Sequence, residues 1–239
     1  MINKSKQKII IGNCDEKIKD KLKTLGFELL IVRDNENLSV QTKNHADLSV
    51  IKLPDGTMIV EKTQTELIAE LKRENIEFDL TKSSLKMPYP NDTLLNFSIV
   101  GKFVVGNHNH IDSTLKQKIK QNNLIEIQTK QGYANCSIVS IAKNAIITDD
   151  ENIAKITKAN SIETLLISKG DVKLKGHDYG FIGGANGLIE ENKVLFLGDI
   201  REHKDFEKIK VFLSLHGCEF DFIEDLKLTD IGSFIVVDV

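Results

Sequence analysis

Ile9-Ile10-Ile11-Gly12-Asn13 opens a pattern that returns four times, as Met58-Ile59-Val60-Glu61, Phe103-Val104-Val105-Gly106-Asn107, Ala145-Ile146-Ile147-Thr148-Asp149 and Val194-Leu195-Phe196-Leu197-Gly198-Asp199. Each run is short, rich in β-branched residues and closed by a small or acidic residue. Runs apolar at every position suit strands buried on both faces. A helical periodicity follows each one. Ile18, Leu22 and Leu25 share a face before Gly26, which can end the helix. Thr63 and Glu66 have the spacing of a capping box ahead of Leu67, Ile68 and Leu71. Asp112 precedes Leu115 and Ile119, Asp149 or Asp150 precedes Ile153 and Ile156, and Phe206, Ile209, Phe212 and Leu213 run up to Gly217.

A second strand is expected after each helix, at residues 27–32, 76–80, 124–128, 164–168 and 219–223. The order β–α–β with short links is that of a crossover unit. Each unit then closes on a strand of unusual composition. The first three read His45-Ala46-Asp47-Leu48-Ser49-Val50, Leu94-Leu95-Asn96-Phe97-Ser98-Ile99 and Tyr133-Ala134-Asn135-Cys136-Ser137-Ile138. The last two read Gly183-Gly184-Ala185-Asn186-Gly187-Leu188 and Thr229-Asp230-Ile231-Gly232-Ser233-Phe234. Ser49, Ser98, Ser137, Gly187 and Ser233 form one column of small residues, as expected where five strands crowd a common axis. Asp47, Asn96 and Asn135 form a polar column beside it, with Asn186 and Asp230 one residue out of strict register. Acids and amides within apolar strands are costly unless paired, hydrated or ligand-bound, which points to a polar central channel. The competing reading makes them turn residues at strand starts.

The expected fold class is therefore α/β: a five-bladed α/β propeller in one domain, 1–239. Its β-α-β-β units fall at approximately 8–53, 57–100, 102–141, 144–189 and 193–239. The chain has 239 residues, enough for a core without disulfides. With 32 basic and 35 acidic residues it lacks the basic excess of a nucleic-acid binder. Cys14, Cys136 and Cys218 are far apart and odd in number, so neither a disulfide framework nor a metal spacing is read from them. Residues 1–7 are polar, without the apolar segment of a signal peptide, and no apolar stretch reaches membrane-spanning length. A cytoplasmic protein without nucleic-acid or membrane partners is expected.

Five such units about a pseudo-fivefold axis resemble the pentein fold, the five-bladed α/β propeller of the guanidine-group-modifying enzymes. More closely, Gln131-Gly132-Tyr133-Ala134-Asn135-Cys136-Ser137-Ile138-Val139, Asp178-Tyr179-Gly180-Phe181-Ile182-Gly183-Gly184-Ala185-Asn186-Gly187 and Leu228-Thr229-Asp230-Ile231-Gly232-Ser233 resemble an uncharacterised bacterial family of that fold. The resemblance implies a nucleophilic cysteine in the fifth closing strand, a histidine in the fourth, and carboxylates for the guanidinium nitrogens. Here the fifth reads Leu228 to Phe234 without cysteine and the fourth Phe181 to Gly187 without histidine. His177 lies upstream of the fourth but does not match the motif.

The candidate pocket is His45, Asp47, Asn96, Tyr133, Asn135, Cys136, His177, Asp178, Asn186 and Asp230. A small polar or cationic, guanidino-like ligand is the expected partner, with no cofactor and no metal. The reading put first is a non-catalytic or non-canonical small-ligand binder. The alternative is an enzyme that hydrolyses or transfers a guanidino or amidino group, with Cys136 as an unusual nucleophile and His45 or His177 as base. A third reading leaves the axial polar groups purely structural. Cys136 also reads as a small buried hydrophobe. Tyr133 and Tyr179 read equally as pocket walls or as packing. His108 and His110 read as exposed loop histidines for want of a third ligand. The run Gly183-Gly184 enters a strand rather than a helix, so close backbone approach explains it better than phosphate binding.

Overall fold

A computed structural model describes residues 7–237, so the expectations for Met1 to Lys6 lie outside the described residues. Among the described residues fifteen strands form five three-stranded sheets. In chain order they are β1 (Lys8–Ile11), β2 (Glu28–Ile31), β3 (Val50–Lys52), β4 (Met58–Val60), β5 (Asp79–Leu80), β6 (Ser98–Val100), β7 (Phe103–Gly106) and β8 (Ile125–Gln128). They continue with β9 (Ile138–Ala142), β10 (Ala145–Thr148), β11 (Glu163–Leu166), β12 (Asn186–Glu190), β13 (Lys193–Phe196), β14 (Glu219–Phe222) and β15 (Phe234–Val237). Every sheet has the same plan. A middle strand pairs antiparallel with one neighbour and parallel with the other, as β4 does with β3 and β5. The parallel pair is joined through a helix, the crossover that parallel strands require.

The five middle strands are the five apolar runs. The helices between them are α1 (Glu16–Thr24), α3 (Thr65–Arg73), α4 (Ser113–Gln121), α5 (Glu151–Ala159) and α6 (Phe206–Leu215); α2 (Ala46–Ser49) is a single turn. Alternate residues of each middle strand face different helices, so both faces are apolar. Ile9 and Ile11 pack with Ile18 and Leu22 of α1, while Ile10 packs with Leu67 and Leu71 of α3. Each long helix thus lies between its own sheet and a neighbouring one. Leu115 and Ile119 of α4 meet Val104 and Ile59. Ile153 of α5 meets Ile146 and Val105. Ile209 and Leu213 of α6 meet Phe196 and Ile147. Leu195 of β13, in the last sheet, and Leu197 just after it pack against Ile18 and Leu22 of the first helix. Each fully buried Ile or Leu contributes roughly 1.5–3 kcal/mol relative to an exposed one.

Sheets and sequence units are offset by one strand. The closing strand of a unit pairs with the first strand of the next through a short hairpin, as β6 does with β7 and β9 with β10. The C-terminal β15 completes the first sheet against β1. Tight antiparallel hairpins need only a few linking residues, and Gly101 supplies the positive φ (56°) of one of them.

Several local expectations are corrected. Asp47, Asn96, Asn135, Cys136 and Asp230 do not lie inside strands; they occupy the turns, or the short α2, that lead into β3, β6, β9 and β15. There a short polar side chain can bond nearby backbone groups without interrupting a ladder. Asn186 is the first residue of β12. Ser98, Gly187 and Ser233 line one cavity of about 300 Å³ to which all five closing strands contribute, but Ser49 and Ser137 do not. Those two hydroxyls bond Gln64 Nε2 (3.4 Å) and the Tyr133 carbonyl (2.9 Å) instead. The capping box does not form: Gln64 is the N-cap of α3, and Thr63 bonds Glu61. Asp112 and Asp150 do cap α4 and α5, through Thr114 N and Ile153 N. His108 is not exposed; its Nε2 meets the Val104 carbonyl at 3.0 Å and its ring lies against Phe97. Among the described residues no helix is long and apolar enough to cross a membrane.

Candidate functional site

The turns ahead of β3, β6, β9 and β15 meet in one place. His45 is the N-cap of α2 and Asp47 lies within it, both buried. The α2 turn is tied to the last unit by Asp47 N, which donates to the Gly232 carbonyl at 3.0 Å. Gly232 has φ +72°, and a Cβ there would stand 2.3 Å from His45 Cβ, so no side chain fits at this crossing. Asn96 braces the centre in four directions. Its Oδ1 accepts from Asn135 N (2.9 Å) and Cys136 N (3.3 Å), and its Nδ2 donates to the Asp47 carbonyl (3.2 Å) and to Cys136 Sγ (3.3 Å).

The Cys136 thiol donates to Asp47 Oδ2 at 2.9 Å, and Asn135 Nδ2 donates to the same oxygen at 3.2 Å. Asp230 Oδ2 accepts from Phe181 N and its Oδ1 from Gly232 N, both at 3.0 Å. Asp230 Oδ1 lies 3.9 Å from His45 Nδ1. Gly184 gives Asp230 its room: a Cβ there would fall 1.9 Å from Asp230 Oδ1. Gly183 would meet the Asn135 carbonyl at 2.2 Å. The glycine pair therefore serves close approach, as its sequence context implies.

Burial dominates the electrostatics. It pushes the His45 imidazole below its ordinary value, against the opposing pull of Asp47. It raises the Asp47 carboxyl, which His45 and the Cys136 bond draw partly back. Burial, followed by the charges of Asp47 and Asp230, holds the Cys136 thiol well above its usual range. Burial also lifts Asp230 to about 6, opposed by the two backbone N–H groups it accepts from. The resting cysteine is thus a thiol rather than the reactive thiolate.

Above this floor lies a cavity of about 480 Å³. His45, Cys136 and Asp230 line it from below. Tyr89, Tyr133 and Phe181 form an aromatic wall, with centroid separations of 5.7 Å (Tyr89–Tyr133) and 6.5 Å (Tyr133–Phe181). Asp92 lines it too, buried, with Oδ2 accepting from Tyr133 Oη at 2.5 Å. His177, Asp178 and Tyr179 stand exposed at the rim. Asp47 is reached through Cys136 and faces the second, strand-lined cavity of about 300 Å³. Asn186 faces that second cavity as well and donates to the Ile182 and Gly183 carbonyls, so it holds the local turn and does not join the cluster.

Three buried polar atoms at this centre have no hydrogen-bond partner among the described residues: His45 Nδ1, Asp47 Oδ1 and Asp92 Oδ1. A ring nitrogen of His45, a carboxylate oxygen of Asp47 and Cys136 Sγ all lie within 4.8 Å of one another, a donor set that could hold a metal ion. Sequence reading did not bring these three together as ligands, because their spacing follows no metal motif. It also missed Asp92 and Tyr89. Asp92 stands in the stretch Pro90-Asn91-Asp92-Thr93, which is composed like any turn.

The fold itself is shared with solved structures. The chain is similar to DDAH from Pseudomonas aeruginosa complexed with citrulline, with a TM-score of 0.56 at 9% identity over 91% of this chain and 92% of that one. It is similar to C. jejuni agmatine deiminase, with a TM-score of 0.56 at 12% identity over 92% and 88% of the two chains. It is similar to an inosamine-phosphate amidinotransferase from Streptomyces griseus, with a TM-score of 0.53 at 12% identity over 94% and 80%. The shared fold is the pentein fold. No curated protein sequence matches the chain. The model of a family of unknown function, DUF6873, matches residues 9–235.

Proposed function

We propose, from the premise that the chain belongs to the family of unknown function DUF6873, that its centre binds a small polar ligand carrying a cationic guanidino or amidino group. The observation that carries this reading is the sign of the cavity. Its lining holds three carboxylates, Asp92, Asp178 and Asp230, and among the described residues no Lys or Arg. Buried carboxylates are costly unless a positive partner meets them. Two of the three are buried, and Asp92 Oδ1 has no partner among the described residues. A planar cation answers this arrangement: carboxylates bond its N–H groups and rings stack on its face. Each charge-assisted bond is worth about 1.5–3 kcal/mol. Relatives of the fold act on such groups, as the names agmatine deiminase and amidinotransferase state.

The reading is of binding rather than of thiolate catalysis. The Cys136 hydrogen is already committed to Asp47, and two acids beside it oppose thiolate formation. The same reading takes the five sheets as units of one domain set about a common axis. Each long helix packs between successive sheets, and Leu195 of the last sheet, with Leu197 just after it, reaches the first helix, as ring closure requires.

Calorimetric titration with agmatine and arginine, and with citrulline as the uncharged counterpart, tests the proposal. The cations are expected to bind and citrulline is not. Asp230→Asn is expected to weaken cation binding ~10–100-fold. Equal affinity for citrulline and arginine, or no heat with any of the three, contradicts the reading.

A further inference from the structure

We propose that His45, Asp47 and Cys136 form a binding site for one zinc-class divalent ion, with its fourth position turned toward the 480 Å³ cavity. This goes beyond the ligand reading and does not depend on it.

Three observations carry it. First, the donors are of three kinds, an imidazole, a carboxylate and a thiol, and they converge within 4.8 Å, two from the α2 turn and one from the turn before β9. Mixed nitrogen, sulfur and oxygen donors suit zinc, which takes three protein ligands where a fourth position stays open. Second, all three residues are at least nine-tenths buried, and two of their polar atoms, His45 Nδ1 and Asp47 Oδ1, have no partner among the described residues. Polar atoms buried so deeply are ordinarily satisfied, and a cation satisfies both at once. Third, the groups around the trio hold its members in place. Asn135 Nδ2 bonds Asp47 Oδ2, and Asn96 Nδ2 bonds Cys136 Sγ. Outer partners of this kind orient metal ligands.

The fit requires one adjustment. With Asp47 Oδ1 as the ligand atom, Cys136 Sγ gives up its 2.9 Å hydrogen bond to Oδ2, and sulfur and Oδ1 come to stand about 3.6 Å apart, the edge of a tetrahedral zinc site. In binding, the ion takes the place of the thiol hydrogen, which leaves to solvent as a proton while the sulfur pair forms the metal bond. His45 and Cys136 line the cavity, which supplies the route for the ion.

The test uses the full chain after treatment with a chelator. Zn²⁺ alone is titrated in competition with a chromophoric chelator, and Co²⁺ alone serves as the spectroscopic probe. One equivalent is expected to bind, with a thiolate-to-cobalt charge-transfer band and the intense visible bands of four-coordination. Cys136→Ser is expected to abolish the charge-transfer band and to weaken Zn²⁺ binding by more than the ~100-fold that loss of an outer partner costs. Cys14→Ser is expected to leave both unchanged. Circular dichroism establishes that each variant is folded. A measurement on the unaltered chain stands beside these: Zn²⁺ is expected to slow alkylation of Cys136, and not of Cys14, read by peptide mass. Absence of a bound equivalent, a band that survives Cys136→Ser, or unprotected Cys136 overturns the proposal. Agmatine titration of the metal-free chain tests the ligand reading separately, so each can fail alone.

Discussion

Cys136 and Asp47, 89 positions apart in the chain, share a hydrogen bond of 2.9 Å at the bottom of the cavity. The contact joins α2 to the turn before β9 and gives Asp47 a neutral partner. It does not supply a counter-charge. Asp47 therefore carries a burial cost that the fold tolerates.

That cost is measurable. Asp47→Asn keeps an acceptor for Cys136 and Asn135 while removing a buried acid. Its neighbour His45 is held toward the neutral form, so no charge is stranded. The variant is expected to be more stable by about 1–2 kcal/mol at neutral pH, which for a chain of this size raises Tm by roughly 2–8 °C. It is also expected to lose metal binding. A lower Tm in thermal denaturation would show that the carboxylate stabilises the fold.

Gly184→Ala places a methyl group against the Asp230 carboxylate, which two backbone N–H groups pin in place. Crowding of this kind costs about 1–3 kcal/mol. Agmatine affinity is expected to fall together with Tm. Unchanged affinity at reduced stability would separate Asp230 from recognition.

Asp149 provides a pH test away from the site. Burial raises its carboxyl to about 6, partly offset by Lys169, against ~3.9 in the unfolded chain. The folded state holds the proton more tightly, so this group's contribution is greatest below pH ~4. It falls as pH rises to about 6, by ~3 kcal/mol in all. Asp149→Asn is expected to remove that slope and to raise Tm at neutral pH. Parallel stability–pH curves for variant and wild type would refute the assignment.

Asp205 has the opposite sign. Lys208 Nζ at 2.6 Å and Ser168 N at 2.7 Å hold its carboxyl well below the usual range. Its contribution is present above the unfolded value of ~3.9 and is lost as pH falls below it. Asp205→Ala leaves the Ser168 N–H unpartnered and is expected to cost roughly 2 kcal/mol. Lys208→Ala, at an exposed side chain, is expected to cost under ~1 kcal/mol. Equal losses in the two variants would place the stabilisation in the ion pair instead.

The middle strands were legible because burial on both faces leaves an uninterrupted apolar run, as in Ile9-Ile10-Ile11. The caps Asp112 and Asp150 were legible because only short acceptors serve at that position. Strand starts were not. Asp47, Asn135 and Asp230 look like strand residues by register, yet each makes turn or short-helix contacts that periodicity does not encode. His45, Asp47, Cys136 and Asp230 stood out as polar residues in an otherwise apolar setting, and the fold gathers them. Asp92 and Tyr89 reach the cavity from a loop whose composition carries no such contrast. His177 and Asp178 reach only the rim, and Asn186 turns to the opposite cavity.

A crystal structure of the chain grown with agmatine tests the ligand reading most directly. The account expects the guanidinium group beside Asp230 and Asp92, with its plane against Tyr133. Agmatine bound elsewhere, or a cavity holding none at saturating concentration, would contradict it.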